Sequence, residues 1–343
     1  MREFLNTLYV QTQGAVLHVE HDTVRVTVDK ETKLRLPLLR LSGIVVFGRV
    51  TVTPFMIQRC AEDGRNLVWL TRTGRFRARV EGPARGNVLL RRAQHLVLSD
   101  GTRTLRIARQ IIAAKLQNSR QILLRSAREA SSDDSRAALG DAAVQIAKSI
   151  EQLPTCRTLD ETRGVEGDAA RTYFSVFGHH MRVEPERFAM EGRTRRPPRD
   201  RVNALISFLY ALLRAECAAG LESVGLDPQV GYLHALRPGR PALALDLMEE
   251  FRPVLADRLA IALINLRQVQ ADHFDHLPGG AVNLNDEGRR QVLQAYQKRK
   301  EEEVQHRVID QKVPLGLIPY IQARLLARHL RGDLEEYPPY LVR

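Results

Sequence analysis

Carboxylates and an imidazole stand out in three separated segments of this chain. The first, Leu159–Phe174, reads LDETRGVEGDAARTYF and holds Glu166 between Gly164 and Gly167. Small flanking residues let backbone or substrate come close to a carboxylate. The second, Gly225–Arg237, reads GLDPQVGYLHALR. Asp227-Pro228 and Gly231 signal a turn, and His234 follows on a short irregular segment from which an imidazole can reach into a site. The third, Pro241–Pro253, reads PALALDLMEEFRP and opens a helix. Asp246 lies three residues before Glu249 and four before Glu250, spacings that share one helix face. Two carboxylates on one face of an apolar helix repel each other unless a cation sits between them.

Each of these residues also has a plainer reading. A lone histidine such as His234 is more often a hydrogen-bonded residue of core or surface than a ligand. Asp246 and Glu249 suit an ordinary solvated helix face, and Glu250 most simply caps the outer face or pairs with an arginine. Two rival histidine pairs exist. His179 and His180 are adjacent, and neighbours in sequence do not share a helix face. His273 and His276, with Asp272 and Asp275 beside them, read as the end of a helix and a polar loop. No GxxxxGK[ST] loop, GxGxxG turn or GxSxG elbow is present. ATP hydrolysis, hydride transfer and serine-hydrolase chemistry therefore have no support.

The elements that must position these residues fall into two kinds. Thr7–Thr12, Ala15–Glu20 and Thr23–Val28 alternate apolar and polar residues, with Gln13-Gly14 and His21-Asp22 at the breaks. This is the pattern of half-buried antiparallel strands joined by tight turns. Lys33–Pro37, Gly43–Phe47, Asn66–Thr71 and Arg75–Val80 continue it, around a helix expected at Pro54–Asp63 and stopped by Gly64. From about Thr104 the period becomes helical, with Leu105, Ala108, Ile111, Ile112, Lys115 and Leu116 on one stripe. Further helices are expected at Ser119–Ala130, Ser135–Glu151, Thr158–Phe177, Arg201–Ala219, Ala244–Gln270, Asn285–Gln305 and Leu317–Arg331, with Asn285 as a cap. The fold class is α+β: a β-rich N-terminal domain (residues 1–95), a linker (96–104) and an α-helical catalytic domain (105–343).

Lys and Arg total 52 against 40 Asp and Glu, a net charge of +12. Residues 1–95 hold 16 Lys and Arg against 8 Asp and Glu, so two thirds of the excess lies in the β-rich part. Such an excess favours a polyanionic partner, because each phosphate neutralised releases condensed counterions. Arginine dominates, and its planar fork suits phosphate oxygens. The stretch Met190–Arg201, MEGRTRRPPRDR, places five arginines around Pro197-Pro198 and reads equally as a solvated loop or as a phosphate-gripping one. Cys60, Cys156 and Cys217 form no CxxC pair and no zinc spacing, as expected of thiols in a reducing compartment. No apolar run is of membrane-spanning length and the start does not read as a signal peptide, so no membrane association and a cytoplasmic location are expected.

Taken together, these motifs resemble the universal integrase and endonuclease subunit of CRISPR adaptation modules, the first of the CRISPR-associated proteins. The GVEG segment with Glu166, the GYLH segment with His234 and the ALDLMEEFRP segment with Asp246 and Glu249 follow in the family's order. So does RDRVNALISFLYALLRAE, with Asn203 and Tyr210, just before the histidine turn. The opening LNTLYVQTQGAVLHVEHDTV looks like the variant of type I-C loci. The family's second acidic position on the last helix is often Asp and is here Glu249.

The resemblance implies a β-rich domain for dimerisation and DNA contact, followed by a helical domain that houses a metal site. It implies a homodimer, and a small ferredoxin-like partner subunit that completes an integration complex on protospacer and repeat DNA. It further implies that Glu166, His234, Asp246 and Glu249 gather Mg²⁺ or Mn²⁺, and that a DNA 3′-hydroxyl attacks a phosphodiester at a repeat boundary. Carboxylates and water suit these ions, and an imidazole shifts preference toward Mn²⁺ without excluding Mg²⁺. His234 serves equally well as a ligand or as a general base. Arg252, three residues after Glu249, is placed to approach the scissile phosphate or to pair with Glu249; the Arg193–Arg201 loop and the arginines of Leu70–Arg79 are weaker candidates for holding DNA. Replacing Glu166, His234 or Asp246 by alanine is expected to abolish strand joining and leave the fold intact. The competing readings are a stand-alone metal-dependent nuclease for branched DNA and a non-catalytic basic scaffold.

Overall fold

The computed structural model describes residues 7–41, 43–72, 76–80, 82 and 88–342. Alternating sequence makes strands of Thr7–Val10 (β1), Val16–Glu20 (β2), Thr23–Val28 (β3) and Glu31–Pro37 (β4). The expected antiparallel pairing holds for β2, β3 and β4. It does not hold for β1. After β1 the chain turns through Gly14, whose φ of 79° is open to glycine without strain. It then enters a different sheet, and β1 pairs in parallel with Gly43–Phe47 (β5). Thr51–Val52 (β6) runs parallel to β2, Asn66–Leu70 (β7) runs parallel to β5, and Phe76–Arg79 (β8) closes the second sheet antiparallel to β7. The sheets have the orders β4-β3-β2-β6 and β1-β5-β7-β8. Arg75, expected to begin the last strand, lies outside the described residues.

The parallel pairing follows from burial on both faces. All five residues of β5, GIVVF, are buried, the continuous apolar run typical of a parallel central strand. Ile44 and Val46 point into a core shared with Leu8, Leu17, Val24, Met56 and Leu67. Val45 and Phe47 point the other way, into the helical core, where the Phe47 ring stacks 6.1 Å from Phe208. The helix Pro54–Asp63 (α1) begins with its proline at the first turn and ends at Gly64, φ 67°, as expected.

The stretch 96–104 is not a linker. Val88–Ser99 (α2) and Gly101–Arg128 (α3) are helices separated by Asp100 alone. The Asp100 carboxylate accepts hydrogen bonds from the Thr102 and Arg103 N–H groups, both at 3.0 Å, which caps α3. Leu90 and Val97 of α2 belong to the same core as α3 and as the inner face of β5 and β7. The corner between domains is therefore helical and packed. α3 also runs unbroken where two helices are expected. At about 1.5 Å per residue it extends about 42 Å, and the polar Asn118 in its middle is buried by tertiary hydrogen bonds rather than marking a break.

The remaining helices are Asp133–Gln152 (α4), Leu159–Ser175 (α5), Arg201–Ser223 (α6), Ala242–Met248 (α7), Arg258–Asn265 (α8), Asp286–Glu301 (α9) and Ile318–Arg331 (α10). Two short antiparallel pairs stand on either side of α9: Phe274–His276 (β9) with Val282–Leu284 (β10) before it, and Glu303–His306 (β11) with Gln311–Pro314 (β12) after it. The single helix expected over Ala244–Gln270 is in fact α7, a turn, a π-helical stretch at Arg252–Asp257, and α8. Pro253 has no N–H to donate and its ring clashes with the preceding turn, so the chain widens there instead of continuing. α6 is long and apolar enough to cross a membrane by length and composition. In this fold it is the central helix of the larger core, with Val202, Leu205, Ile206, Leu209 and Leu213 fully enclosed.

Candidate active site

Four elements bring the ligand-type residues together. Glu166 rides on α5, whose Val165, Ala169 and Tyr173 face the core and leave Glu166 at the edge of the buried face. Thr158 caps this helix by accepting from the Glu161 N–H at 3.1 Å. An added Cβ at Gly164 or Gly167 would meet open space, so the chain's own packing does not demand either glycine. His234 projects from the irregular segment after α6. That segment is pinned from α2: the Gln94 side chain donates to the Asp227 and Val230 carbonyls at 2.8 and 3.0 Å and accepts from the Asp227 N–H at 3.0 Å. On the other side, the Arg163 guanidinium holds the Leu233 carbonyl at 2.6 and 2.8 Å. Asp246 lies on α7, and Glu249 on the turn that follows it.

Glu249 is where Glu166 and His234 meet: a lysine from α3 bridges it to Glu166, and His234 faces its second carboxylate oxygen. The Lys115 ammonium contacts Glu166 and lies 2.8 Å from Glu249 Oε2. His234 Nε2 stands 3.8 Å from Glu249 Oε1. Arg252 reaches the same Glu249 Oε2 at 3.0 Å, and its guanidinium lies 4.4 Å from the centre of the Tyr210 ring. Tyr210 in turn donates to Asp257 at 2.8 Å. Burial opposes the charge on Glu249, but Arg252, Lys115 and His234 outweigh it and hold the carboxyl down at about 2. Burial likewise opposes the charge on Lys115, and Glu249 and Glu166 overcome it, so the lysine stays an ammonium. Among the described residues no three His, Cys, Asp or Glu side chains are closed up as a ready coordination sphere. Instead, the gap between two carboxylates and an imidazole already holds a positive charge, which is the electrostatic demand a cation would meet.

Asp246 departs from the expected ligand role. It is fully buried. Its Oδ2 accepts from the Tyr232 and Leu233 N–H groups at 2.6 and 2.9 Å. Its Oδ1 accepts from the His234 N–H at 2.9 Å and faces His234 Nδ1 at 2.7 Å. All four lone-pair directions are thus taken, and none is left for a metal. A carboxylate can only accept, so Nδ1 carries a proton and Nε2 is the ring nitrogen left facing Glu249, the arrangement by which a second carboxylate orients a working imidazole. Gly231 makes this approach possible. A Cβ there would come within 2.6 Å of the Ala242 carbonyl carbon and 2.7 Å of Asp246 Oδ2. Gly231→Ala is therefore expected to cost about 1–3 kcal/mol in overpacking and to shift His234. Thermal melting and a DNA cleavage assay check this, and wild-type values in both would refute it.

The other expected positions take plainer roles. Among the described residues Glu250 pairs with no arginine, and it does not cap a surface. It is buried on the side away from Glu249, accepting from the Tyr337 hydroxyl, the Tyr340 N–H at 2.6 Å and the Gln322 amide at 3.2 Å. Burial, only partly offset by those donors, pushes its pKa up to about 7. His180 is packed beside Phe177 and Tyr173 and neutral, its pKa lowered to about 3 by burial and by His179. His179 faces Ser135 at 3.1 Å. His273 accepts from the Gln270 N–H at 3.2 Å, and His276 is exposed on β9. The arginine-rich stretch is partly an inward structure. Arg193 donates to Asn203 at 2.6 Å and Ser207 at 2.9 Å and lies over the Phe174 and Tyr210 rings, whereas Arg195 and Arg196 are exposed. All three cysteines are free and buried. Lys115, Gln94 and Arg163 escape a motif reading. The one legible signal is a lysine on the otherwise apolar stripe of α3, since a buried ammonium requires a buried anion.

The family model described as CRISPR associated protein Cas1 matches residues 8–298. Among curated relatives, a CRISPR-associated endonuclease Cas1 of Moorella thermoacetica is 54% identical over 343 residues, covering 100% of each chain. Among solved structures, a Cas1 protein from Thermotoga maritima superposes with a TM-score of 0.80 at 26% identity, over 95% of this chain and 97% of that one. A chain of a Cas6-RT-Cas1–Cas2 complex superposes with a TM-score of 0.81 at 25% identity, over 97% of this chain and 36% of that one.

Proposed function

The chain belongs to the Cas1 family, and from that premise we propose that it is the endonuclease and integrase that inserts new spacer DNA into a CRISPR array. The observation that carries this reading is the meeting at Glu249 of a lysine shared with Glu166, of His234 on its other oxygen, and of Arg252. Two carboxylates and one imidazole nitrogen suit Mg²⁺ or Mn²⁺, and these three side chains would hold it. The ion would lower the pKa of the attacking hydroxyl or water and offset charge on the phosphorus.

The chain's own residues do the rest. Asp246 fixes the tautomer and direction of the His234 ring, so that Nε2 serves as ligand or as proton acceptor. Arg252, held over Tyr210, keeps a guanidinium beside Glu249 where a non-bridging phosphate oxygen would lie. A DNA 3′-hydroxyl as nucleophile gives strand joining; water in its place gives cleavage at the same site.

In this reading the protein works in the cytoplasm as a homodimer, with a small ferredoxin-like partner subunit, on protospacer and repeat DNA. A solved Cas6-RT-Cas1–Cas2 complex, one chain of which this chain resembles, supports a Cas2-type partner. The β-rich part provides the contact between copies, for which Leu39 and Phe55, 83% and 76% exposed, supply apolar surface. The positive excess of residues 1–95 supplies phosphate contacts.

The experiment is strand joining. Purified protein and its partner subunit are incubated with a 3′-hydroxyl duplex and a supercoiled plasmid bearing a repeat array, in Mg²⁺ or Mn²⁺, with and without chelator. Covalent joining that the chelator abolishes is the expected result. Metal-dependent cutting without joining would replace the integrase by a nuclease, and DNA binding with no covalent change in either metal would remove the enzyme assignment.

A further inference from the structure

Lys115 is a feature of the site that no motif announces, and its placement is costly. Its side chain is 13% exposed, and it comes from α3, far in sequence from both acids it contacts. Glu249 is 5% exposed and Glu166 27%. Desolvating an ammonium and a carboxylate is repaid only where the charges meet closely, as they do here. Without Lys115, Glu166 and Glu249 would face each other with Arg252 as the remaining neutralising charge.

With a divalent ion added to the same gap, the local charge reverses. Lys115, Arg252 and the ion would bring four positive charges against two carboxylates in a space largely withdrawn from water. One cation has to leave. Arg252 is held by the face of Tyr210. Lys115 is a compact charge on a flexible stem, with no ring beneath it. It is also a lysine in a chain where only seven of the 52 Lys and Arg residues are lysine. An arginine at this position would grip both carboxylates with its planar fork and resist displacement.

We infer that Lys115 is a resident counter-cation of the Glu166–Glu249 pair, one that a divalent ion must displace in order to bind. It is a positioning residue: it keeps the two acids in register in the metal-free protein and sets how readily they accept a metal. The inference rests on the metal reading of the site given above.

The test is titration of the purified full-length protein with Mn²⁺, without DNA, by calorimetry or by the spectroscopic signal of free Mn²⁺. Lys115→Met removes a unit charge that competes within a few ångströms of the ion, and should tighten Mn²⁺ binding by about tenfold or more. Lys115→Arg should weaken it below wild type. A residue with a merely structural role would not move affinity in opposite directions in the two variants.

A second measurement needs no variant. In the wild-type chain, mass spectrometry after acetylation should find the Lys115 amine protected in chelator and several-fold more reactive in Mg²⁺, while the exposed Lys30 is unchanged. Equal Mn²⁺ affinity in wild type and Lys115→Met, or Lys115 reactivity indifferent to Mg²⁺, overturns the inference and leaves the metal site standing. Absence of Mn²⁺ binding to the wild type overturns the metal reading itself. If Lys115→Met fails to fold, the labelling result decides.

Discussion

His234→Ala should lower DNA cleavage and strand joining by about 10²–10⁴-fold and leave the melting temperature within a few degrees of wild type. The two halves of this expectation come from different atoms. Nε2 is the imidazole nitrogen that faces Glu249, and among the described residues the other side-chain partners of Glu249 are the cationic Lys115 and Arg252. The loss is therefore expected whether the ring holds a metal or accepts a proton. Stability survives because the ring is at the edge of the structure, 20% exposed. Its removal also leaves Asp246 with the three backbone donors that fix the loop. Cleavage of a branched or nicked duplex in Mn²⁺, run beside a melting curve, checks both halves. Retained activity in a folded variant would remove His234 from the chemistry.

Asp246→Ala should do something different: unfold part of the protein. Among the described residues its carboxylate is the acceptor for the N–H groups of Tyr232 and Leu233, both buried, and of His234, partly buried. Leaving a buried donor unsatisfied costs about 1–3 kcal/mol each, so three such donors cost about 3–6 kcal/mol after partial relaxation. That is a large share of the 5–15 kcal/mol by which native proteins are typically stable. The expectation from sequence, that this substitution leaves the fold intact, is thus revised: activity is lost because the His234 turn comes apart. The measurement is thermal or urea unfolding of Asp246→Ala, Asp246→Asn and wild type. Asn keeps one acceptor oxygen but turns an amide NH₂ toward N–H donors, and should fall between the other two. If Asp246→Ala melts with wild type and only loses metal affinity, Asp246 is a ligand after all.

These two predictions separate residues that look alike in sequence. Asp246 and Glu249 sit three apart on one apolar segment, and spacing gives them one shared face. They differ because α7 ends at Met248 and Asp246 is swallowed by the turn that Gly231 allows to close over it. Glu249, one step past the helix end, meets Lys115, Arg252 and His234 instead. Glu250, next again, is turned to the opposite side and ties the C-terminal residues Tyr337 and Tyr340 to the core.

The residues alone determined a good deal. Alternation and apolar runs located β1–β5, β7 and β8 but not the short β6 or β9–β12, and Pro54 and Gly64 bounded α1 at both ends, because local steric rules act within a few residues. Apolar periodicity located the inner stripe of α3 and the approximate spans of α5, α6, α9 and α10. The motifs around Glu166, His234, Asp246 and Glu249 identified the family and the residues that gather. The charge excess pointed to a polyanionic partner because it sums over the chain regardless of fold.

Only the tertiary structure decided which of those elements meet. An alternating strand does not state its partner, so the passage of β1 into a second sheet parallel to β5 was invisible. A change of period near Thr104 marked a boundary, but not that α2 and the inner face of β5 share the helical core. The break of the expected 244–270 helix depended on how Pro253 resolves its clash, by widening into a π turn rather than by stopping. Above all, the partner of Glu166 and Glu249 is a lysine 51 residues before the first of them. Hydrophobic periodicity tells which face of a helix is buried. Which charge waits across the gap is set by long-range packing, and no spacing rule carries that information.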